Sequence, residues 1–215
     1  MKNEYYIIGS SGFAKEVLFL AKETLIDNYK FKGFIDYKPK SNKIIALNEE
    51  FDIIDEDFFL NTVIPDKNIS VYIGIGDPET ISKVSNKFKS YMMPNLIHPT
   101  VVIHKDSVAL GIGNIITSGC IFTVDIKIGN FNIFNLNSTV GHDTLIGDYN
   151  VINPGANISG LVIIGSKNLL GTNCTILDER TIGSNNVIGA SSLVNKNVDD
   201  NNIMVGVPAK PLNKN

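Results

Sequence analysis

From Leu110 to Val194 every sixth residue is a branched aliphatic residue or Phe, without exception over fifteen positions that include Ile116, Phe122, Phe134, Val140, Ile158 and Ile176. A helix repeats its apolar face every 3.6 residues and a strand every two, so neither produces this period. A triangular solenoid does, because each coil has three flat sides and each side points one residue inward. Inside this repeat lies a second one at eighteen residues, one full coil. Gly111, Gly129, Gly147, Gly165 and Gly183 follow it, and so do Asn114, Asn132, Asn150, Asn168 and Asn186. Gly and Asn tolerate positive φ, so both columns are expected to make the tight corners. Stacked Asn side chains are also expected to form an amide ladder up the corner.

The N-terminal half alternates differently. A short apolar strand, Tyr5 to Ile8, runs into Gly9-Ser10-Ser11-Gly12, and a helical pattern follows with apolar residues at Ala14, Val17, Leu18 and Ala21. A second strand, Phe31 to Ile35, ends at Asp36; another spans Ser70 to Ile75, with a helix starting near Pro78-Glu79. Strand, glycine turn, helix, strand and acid describe a small open α/β sheet of Rossmann type. The turn would offer backbone N–H groups and a helix N-terminus to a phosphate. With only Gly9 and Gly12 present, the full dinucleotide fingerprint is missing, and a nucleotide site and a purely structural turn both remain open. Asn95 to Pro99 reads as the join, giving an α/β domain over 1–95 and a β-helix over 96–215.

Bulk properties narrow the class. At 215 residues, 43% apolar and 19% charged, the chain suits two modest soluble domains. A net charge of −3 gives no reason to expect nucleic acid or an anionic membrane as partner. No apolar stretch approaches the roughly 20 residues of a membrane span. Met1-Lys2-Asn3-Glu4 leads straight into a strand, so no signal peptide and a cytoplasmic location are expected. The acidic segment Glu49 to Asp57 reads as a solvated helix or loop. Cys120 and Cys174 are three coils apart in a column of small residues with Ser138, Ala156 and Ser192. They read as buried filling, not as a disulfide, metal ligands or nucleophiles.

Three histidines remain. His98, before Pro99, and His104, in the irregular first coil, read as structural or solvent-facing. His142 lies two places past an inward residue, near a corner, and Asp143 follows it. One coil onward comes Gly160, so a backbone amide without a side chain lies roughly above the imidazole. A base, an acidic partner and a bare amide are the parts acyl transfer needs. An exposed corner His without a role is the alternative at this point.

These motifs resemble the left-handed parallel β-helix acyltransferases with hexapeptide repeats. More narrowly, they resemble bacterial sugar acetyltransferases that join a small Rossmann-like nucleotide-sugar domain to such a helix. That group includes sialic acid O-acetyltransferase-like proteins and N-acetyltransferases of nucleotide-linked 4-amino-4,6-dideoxy sugars. The resemblance is carried by Ile8 to Gly12, Phe34-Ile35-Asp36, His98-Pro99, Val140 to Asp143 and Val205 to Lys210. It implies His142 as general base, Asp143 as its partner and the Gly160 amide on the acetyl carbonyl. Asn135 would hold the acceptor sugar, and Gly9, Ser10, Ser11, Gly12 and Asp36 the nucleotide. Acetyl-CoA, with no metal, would lie between subunits of a homotrimer against Gly171, Ala190, Val207 and Pro208. Many relatives have a second His near the thioester, where this chain has Val151.

The expected activity is therefore acetyl transfer from acetyl-CoA to the 4-amino group of a nucleotide-linked sugar in surface glycan assembly. O-acetylation of sialic acid or another sugar would need the same base. A non-catalytic scaffold or sugar-nucleotide sensor is the reading from another class. Carbonic anhydrase chemistry is disfavoured, since it wants three His per site and only His142 lies in the regular coils.

Overall fold

The computed structural model describes residues 3–25 and 28–212; Met1 and Lys2 at the start of the expected leader-free N-terminus lie outside them. Its N-terminal part is built from β1 (Asn3–Ile8), α1 (Gly12–Thr24), β2 (Tyr29–Asp36), β3 (Lys43–Ala46), β4 (Glu49–Asp55), α2 (Glu56–Thr62), β5 (Ile69–Ile73) and α3 (Pro78–Lys87). The strand order is β3-β4-β2-β1-β5, parallel except where β3 and β4 form an antiparallel hairpin. Hydrophobic strands covered on both faces are what a parallel sheet requires. Tyr5, Ile7, Ile8, Phe34, Ile35, Val71 and Tyr72 are accordingly buried.

The acidic segment is not a solvated helix or loop throughout. Glu49 to Asp55 is a strand, because Phe51 and Ile53 alternate with acids and pack on the domain core. The hairpin turn is made by Leu47 and Asn48 with φ of 50° and 62°, the double positive φ of a type I′ turn. The helix begins only at Glu56, with the Asp55 carboxylate accepting the Phe58 N–H at 3.1 Å as its cap. Glu56 itself is buried and paired with Lys87 of α3.

From Leu96 onward the chain winds as a left-handed parallel β-helix with three sides. The first side stacks Leu96–Ile97, Ile115–Ile116, Ile133–Phe134, Val151–Ile152, Leu169–Leu170, Val187–Ile188 and Ile203–Val205. The second side runs from Ile121–Phe122 through Thr139–Val140 to Leu193–Val194, and the third from Val108–Leu110 through Leu145–Ile146 to Thr181–Ile182. The hexad residues from Ile116 to Val194 are buried in one core. Cys120 and Cys174 are buried with them, as small fillers beside Ser138, Ala156 and Ser192. Burial pushes the Cys174 thiol up to about 12 and raises that of Cys120.

The corners correct one expectation. Positive φ does not fall on the Gly111 or Asn114 columns. It falls on every sixth residue from Gly113 to Ser191, with φ of 55–74° at Asp125, Phe131, Asn137, Asp143, Tyr149, Leu161, Lys167 and the other positions of that series. Each side thus ends in one left-handed residue, whatever its side chain. The Gly111 column is glycine for a steric reason instead. A Cβ on Gly111, Gly129, Gly147 or Gly165 would lie 2.6–2.8 Å from the carbonyl oxygen of the glycine in the next coil.

The Asn ladder is as expected. Each Oδ1 from Asn114 to Asn168 accepts the backbone N–H of the next Asn at 2.8–2.9 Å. The Nδ2 groups of Asn114, Asn150 and Asn168 also donate to glycine carbonyls at 2.9–3.0 Å. Asn95 starts the ladder and Asn202 ends it. The two parts of the chain share a core, since Ile115, Ile133 and Val151 point outward from the first side into the α/β domain. A Lys167–Glu79 ion pair at 3.0 Å joins them at the rim.

Candidate functional site

His142 follows the strand Thr139–Val140 and sits at the corner between the second and third sides. Its side chain is 56% exposed, and Nδ1 lies 2.8 Å from Oδ2 of Asp143. A carboxylate can only accept, so this contact places the ring proton on Nδ1 and leaves the Nε2 lone pair free. Asp143 is the left-handed residue of the corner, with φ of 56°. That turn swings its carboxylate back towards the neighbouring ring. One coil above, Gly160 lies against the imidazole, and a Cβ there would fall 2.5 Å from Nε2 and 2.7 Å from Cε1. The Gly160 carbonyl accepts the Glu179 N–H at 3.1 Å, whereas among the described residues its own N–H has no protein acceptor. Gly141 is held just as closely, since its Cβ would meet the Gly160 nitrogen at 2.5 Å. The corner can take a proton at Nε2 and offer a bare amide beside it.

Thr144 belongs to this corner and was not read from the sequence. It is fully buried, and its hydroxyl is 3.2 Å from the Ser159 carbonyl and 3.4 Å from that of His142. It therefore ties together the two coils that carry His142 and Gly160. The signal was available, because Thr144 interrupts a column whose neighbours, Ile126 and Val162, are apolar.

Asn135 is not brought to His142 within the chain. It follows Ile133–Phe134 and is buried at the corner between the first and second sides, with Nδ2 3.4 Å from Asn153 Oδ1. Gly171 and Ala190 share that corner, where a Gly171 Cβ would lie 2.5 Å from the Ala190 nitrogen. Val207 and Pro208, both exposed, lie in the turn that folds back beside it, held by Leu193 N–H to Gly206 O at 3.0 Å and Ala209 N–H to Leu193 O at 2.7 Å. Val151 lies elsewhere again, buried under the α/β domain. A side chain at that position faces the domain core and not the His142 corner.

In the α/β domain the glycine turn and Asp36 come together. The Ser10 hydroxyl donates to Asp36 Oδ2, and Asp36 Oδ1 accepts the Tyr37 N–H at 2.8 Å. Gly9 has φ of +104°, and a Cβ on it would be 2.8 Å from the Gly74 carbonyl oxygen. Ser11 precedes the helix without a side-chain cap bond, and Gly12 opens it with no neighbour near its Cα hydrogen. Ser10 and Asp36 line a cleft of about 440 Å³ whose other wall carries Tyr37, Lys38, Lys40 and Lys43. These cations also went unread, although the run Tyr37 to Lys43 places three lysines directly after the strand-ending acid.

His98 is half-buried and His104 is exposed. Among the described residues no group of three or more His, Cys, Asp or Glu is placed to hold a metal ion, and no helix is long and apolar enough to cross a membrane.

Residues 4–88 match the PglD N-terminal domain family. No curated protein matches the chain. Among solved structures it is similar to PerB from Caulobacter crescentus in complex with CoA and GDP-perosamine, with 25% identity, 98% and 97% of the two chains covered, and a TM-score of 0.85. It is similar to WeeI from Acinetobacter baumannii AYE at 25% identity, 97% and 99% coverage and a TM-score of 0.85. The acetyltransferase domain of PglB from Neisseria gonorrhoeae FA1090 in complex with acetyl coenzyme A shares the fold, with a TM-score of 0.88 at 24% identity over 99% and 100% of the chains. The architecture expected from the resemblance, a small α/β domain followed by a left-handed β-helix, is the one found, and the likeness extends over nearly the whole chain.

Proposed function

We propose that this acyltransferase moves the acetyl group of acetyl-CoA to the 4-amino group of a nucleotide-linked 4-amino-4,6-dideoxy sugar, in the cytoplasm and for surface glycan assembly. The observation that carries the reading is the His142 corner: Nδ1 tied to Asp143 at 2.8 Å, with Gly160 directly against Nε2. The amine nitrogen attacks the thioester carbonyl carbon while Nε2 takes its proton. The oxyanion is met by the Gly160 N–H; the C–S bond then breaks, and the thiolate of CoA leaves with the proton from His142. No acyl-enzyme forms, and holding both substrates in register supplies much of the rate.

Residues 1–95 would hold the nucleotide, with the phosphates at Gly9 to Gly12 and the α1 N-terminus, and the ribose or base near Asp36. Residues 96–215 would hold acetyl-CoA. The separation of Asn135, Gly171, Ala190, Val207 and Pro208 from His142 favours a shared site, in which one copy's His142 meets the sugar and thioester held at the next copy's corner. Exposed apolar side chains around His142, among them Val124, Leu145, Leu161 and Ile163, supply surface for that packing. A homotrimer is the assembly this reading implies.

The test is thiol release from acetyl-CoA with UDP-, dTDP- and GDP-linked 4-amino-4,6-dideoxyhexoses. His142→Ala should lower kcat by about 10²–10⁴-fold with little change in acetyl-CoA affinity. Near-normal turnover in that variant would remove His142 from the mechanism, and activity only on a free sugar would overturn the acceptor class.

A further inference from the structure

We infer that His98 is a neutral hydrogen-bond donor in the acceptor-sugar pocket, its tautomer fixed by Thr100. This rests on the function proposed above and adds a residue to its acceptor site. The Thr100 backbone N–H donates to His98 Nδ1 at 3.1 Å, and the Thr100 hydroxyl lies 2.8 Å from the same nitrogen. A backbone N–H can only donate, so Nδ1 is an acceptor and the ring proton sits on Nε2. The hydroxyl oxygen in turn accepts the Gly119 N–H at 3.1 Å, which turns its hydrogen towards the ring. His98 and His142 are thus held in opposite tautomers, one presenting a donor at Nε2 and the other a lone pair.

His98 lines a cavity of about 130 Å³ between α1 and the corner of the first and second sides, together with Phe19, Leu20, Ser118 and Leu136. Three features point to a deoxy amino sugar as its occupant. Glu16, Phe19 and Leu20 stand one to two turns along α1 from Gly12, on the stripe that leads from the glycine turn to the cavity. At 1.5 Å per residue that is roughly 6–12 Å, the reach of a sugar attached through phosphate at the helix N-terminus. The walls are mostly apolar, which suits the methyl face of a 6-deoxy sugar, and Leu136 adjoins Asn135. Glu16 at the rim is the charge complement of an amino substituent, and the Nε2–H of His98 can donate to a ring hydroxyl.

Calorimetric titration of GDP-perosamine, the corresponding UDP- and dTDP-linked amino sugars, and the free nucleotides tests this directly, alongside steady-state KM values. For the sugar nucleotide that wild type binds, His98→Ala should weaken binding about 3- to 10-fold. Affinity for the free nucleotide and KM for acetyl-CoA should stay unchanged, and His98→Gln, which keeps a side-chain N–H, should recover part of the loss. Ser118→Leu, which fills the cavity without touching the His98–Thr100 contacts, should show the same selective loss; thermal unfolding checks that each variant is folded. Unchanged sugar-nucleotide affinity in both variants overturns the inference, and so does a selective rise in the acetyl-CoA KM. Should wild type bind acetyl-CoA but none of the sugar nucleotides, the proposed function itself falls and this pocket with it.

Discussion

The imidazole of His142 rests on the bare Cα of Gly160, one coil away, with so little space between them that a methyl group there would lie 2.5 Å from Nε2. Gly160→Ala therefore cannot keep the ring where it is. The imidazole is 56% exposed and can swing outward, so the fold should survive. We expect Tm to change by only a few degrees while, on the proposed mechanism, kcat falls at least about 10-fold, since a displaced imidazole would lose its alignment with the attacking amine. Normal kcat with Ala at this position would mean that the ring works from another rotamer.

Asn150 tests the corner ladder. Its Oδ1 accepts both the N–H and the Nδ2 of Asn168, and its own Nδ2 donates to Asn132 and Gly165. Asn150→Ala strands several buried groups at once and should cost about 3 kcal/mol in denaturant unfolding. Asn186, one rung before Asn202, accepts only the Asn202 N–H at its Oδ1, and its buried Nδ2 has no partner among the described residues, so Asn186→Ala should cost clearly less. Equal losses at the two positions would show that the ladder adds nothing beyond side-chain volume.

The difference between these sites also explains what could be read from the sequence. Side-chain periodicity reports what points inward and what stacks. Six- and eighteen-residue spacing therefore gave the three sides, the buried cysteines, the Asn ladder and the position of Gly160 over His142. Backbone conformation leaves no such mark here. The left-handed corner residues include Phe131, Tyr149, Leu161 and Glu179, which no propensity argument selects. The glycine columns suggested corners, yet they record close contact between coils. Separation around the coil was equally hidden, because Asn135 and His142 are seven residues apart in sequence and one corner apart in space. The pairing of Ser10 with Asp36, and of His98 with Thr100, rests on hydrogen bonds in irregular segments that no repeat registers.

The ion pair between domains predicts a pH dependence. The Lys167 ammonium, and then that of Lys83, hold the Glu79 carboxyl below the usual carboxylate range. A group whose pKa is depressed on folding stabilises the native state above its unfolded pKa, and that contribution is lost as pH falls through the folded value. The wild type should therefore exceed Lys167→Ala in Tm at pH 6, with the difference closing below about pH 4. Because Glu79 is exposed, the difference should be small and should shrink further in 1 M salt. A gap that persists at low pH would assign the effect to packing of the lysine stem.

Glu179 offers the sharpest test of corner strain. It is exposed, its side chain takes part in no hydrogen bond or ion pair among the described residues, and its φ is 60°. A left-handed conformation costs an ordinary L-residue about 1–2 kcal/mol, which Gly avoids, although Gly loses more backbone entropy on folding. Glu179→Gly should therefore stabilise the protein by about 0.5–1 kcal/mol, a rise in Tm of roughly 1–4 °C for a chain of this size. Gly155, with φ of +68° and the Asn173 side chain over its Cα, is the converse case. Gly155→Ala adds both strain and a clash, so it should lower stability by at least about 1–2 kcal/mol. If both substitutions shift Tm in the same direction, corner φ does not control the stability of this helix.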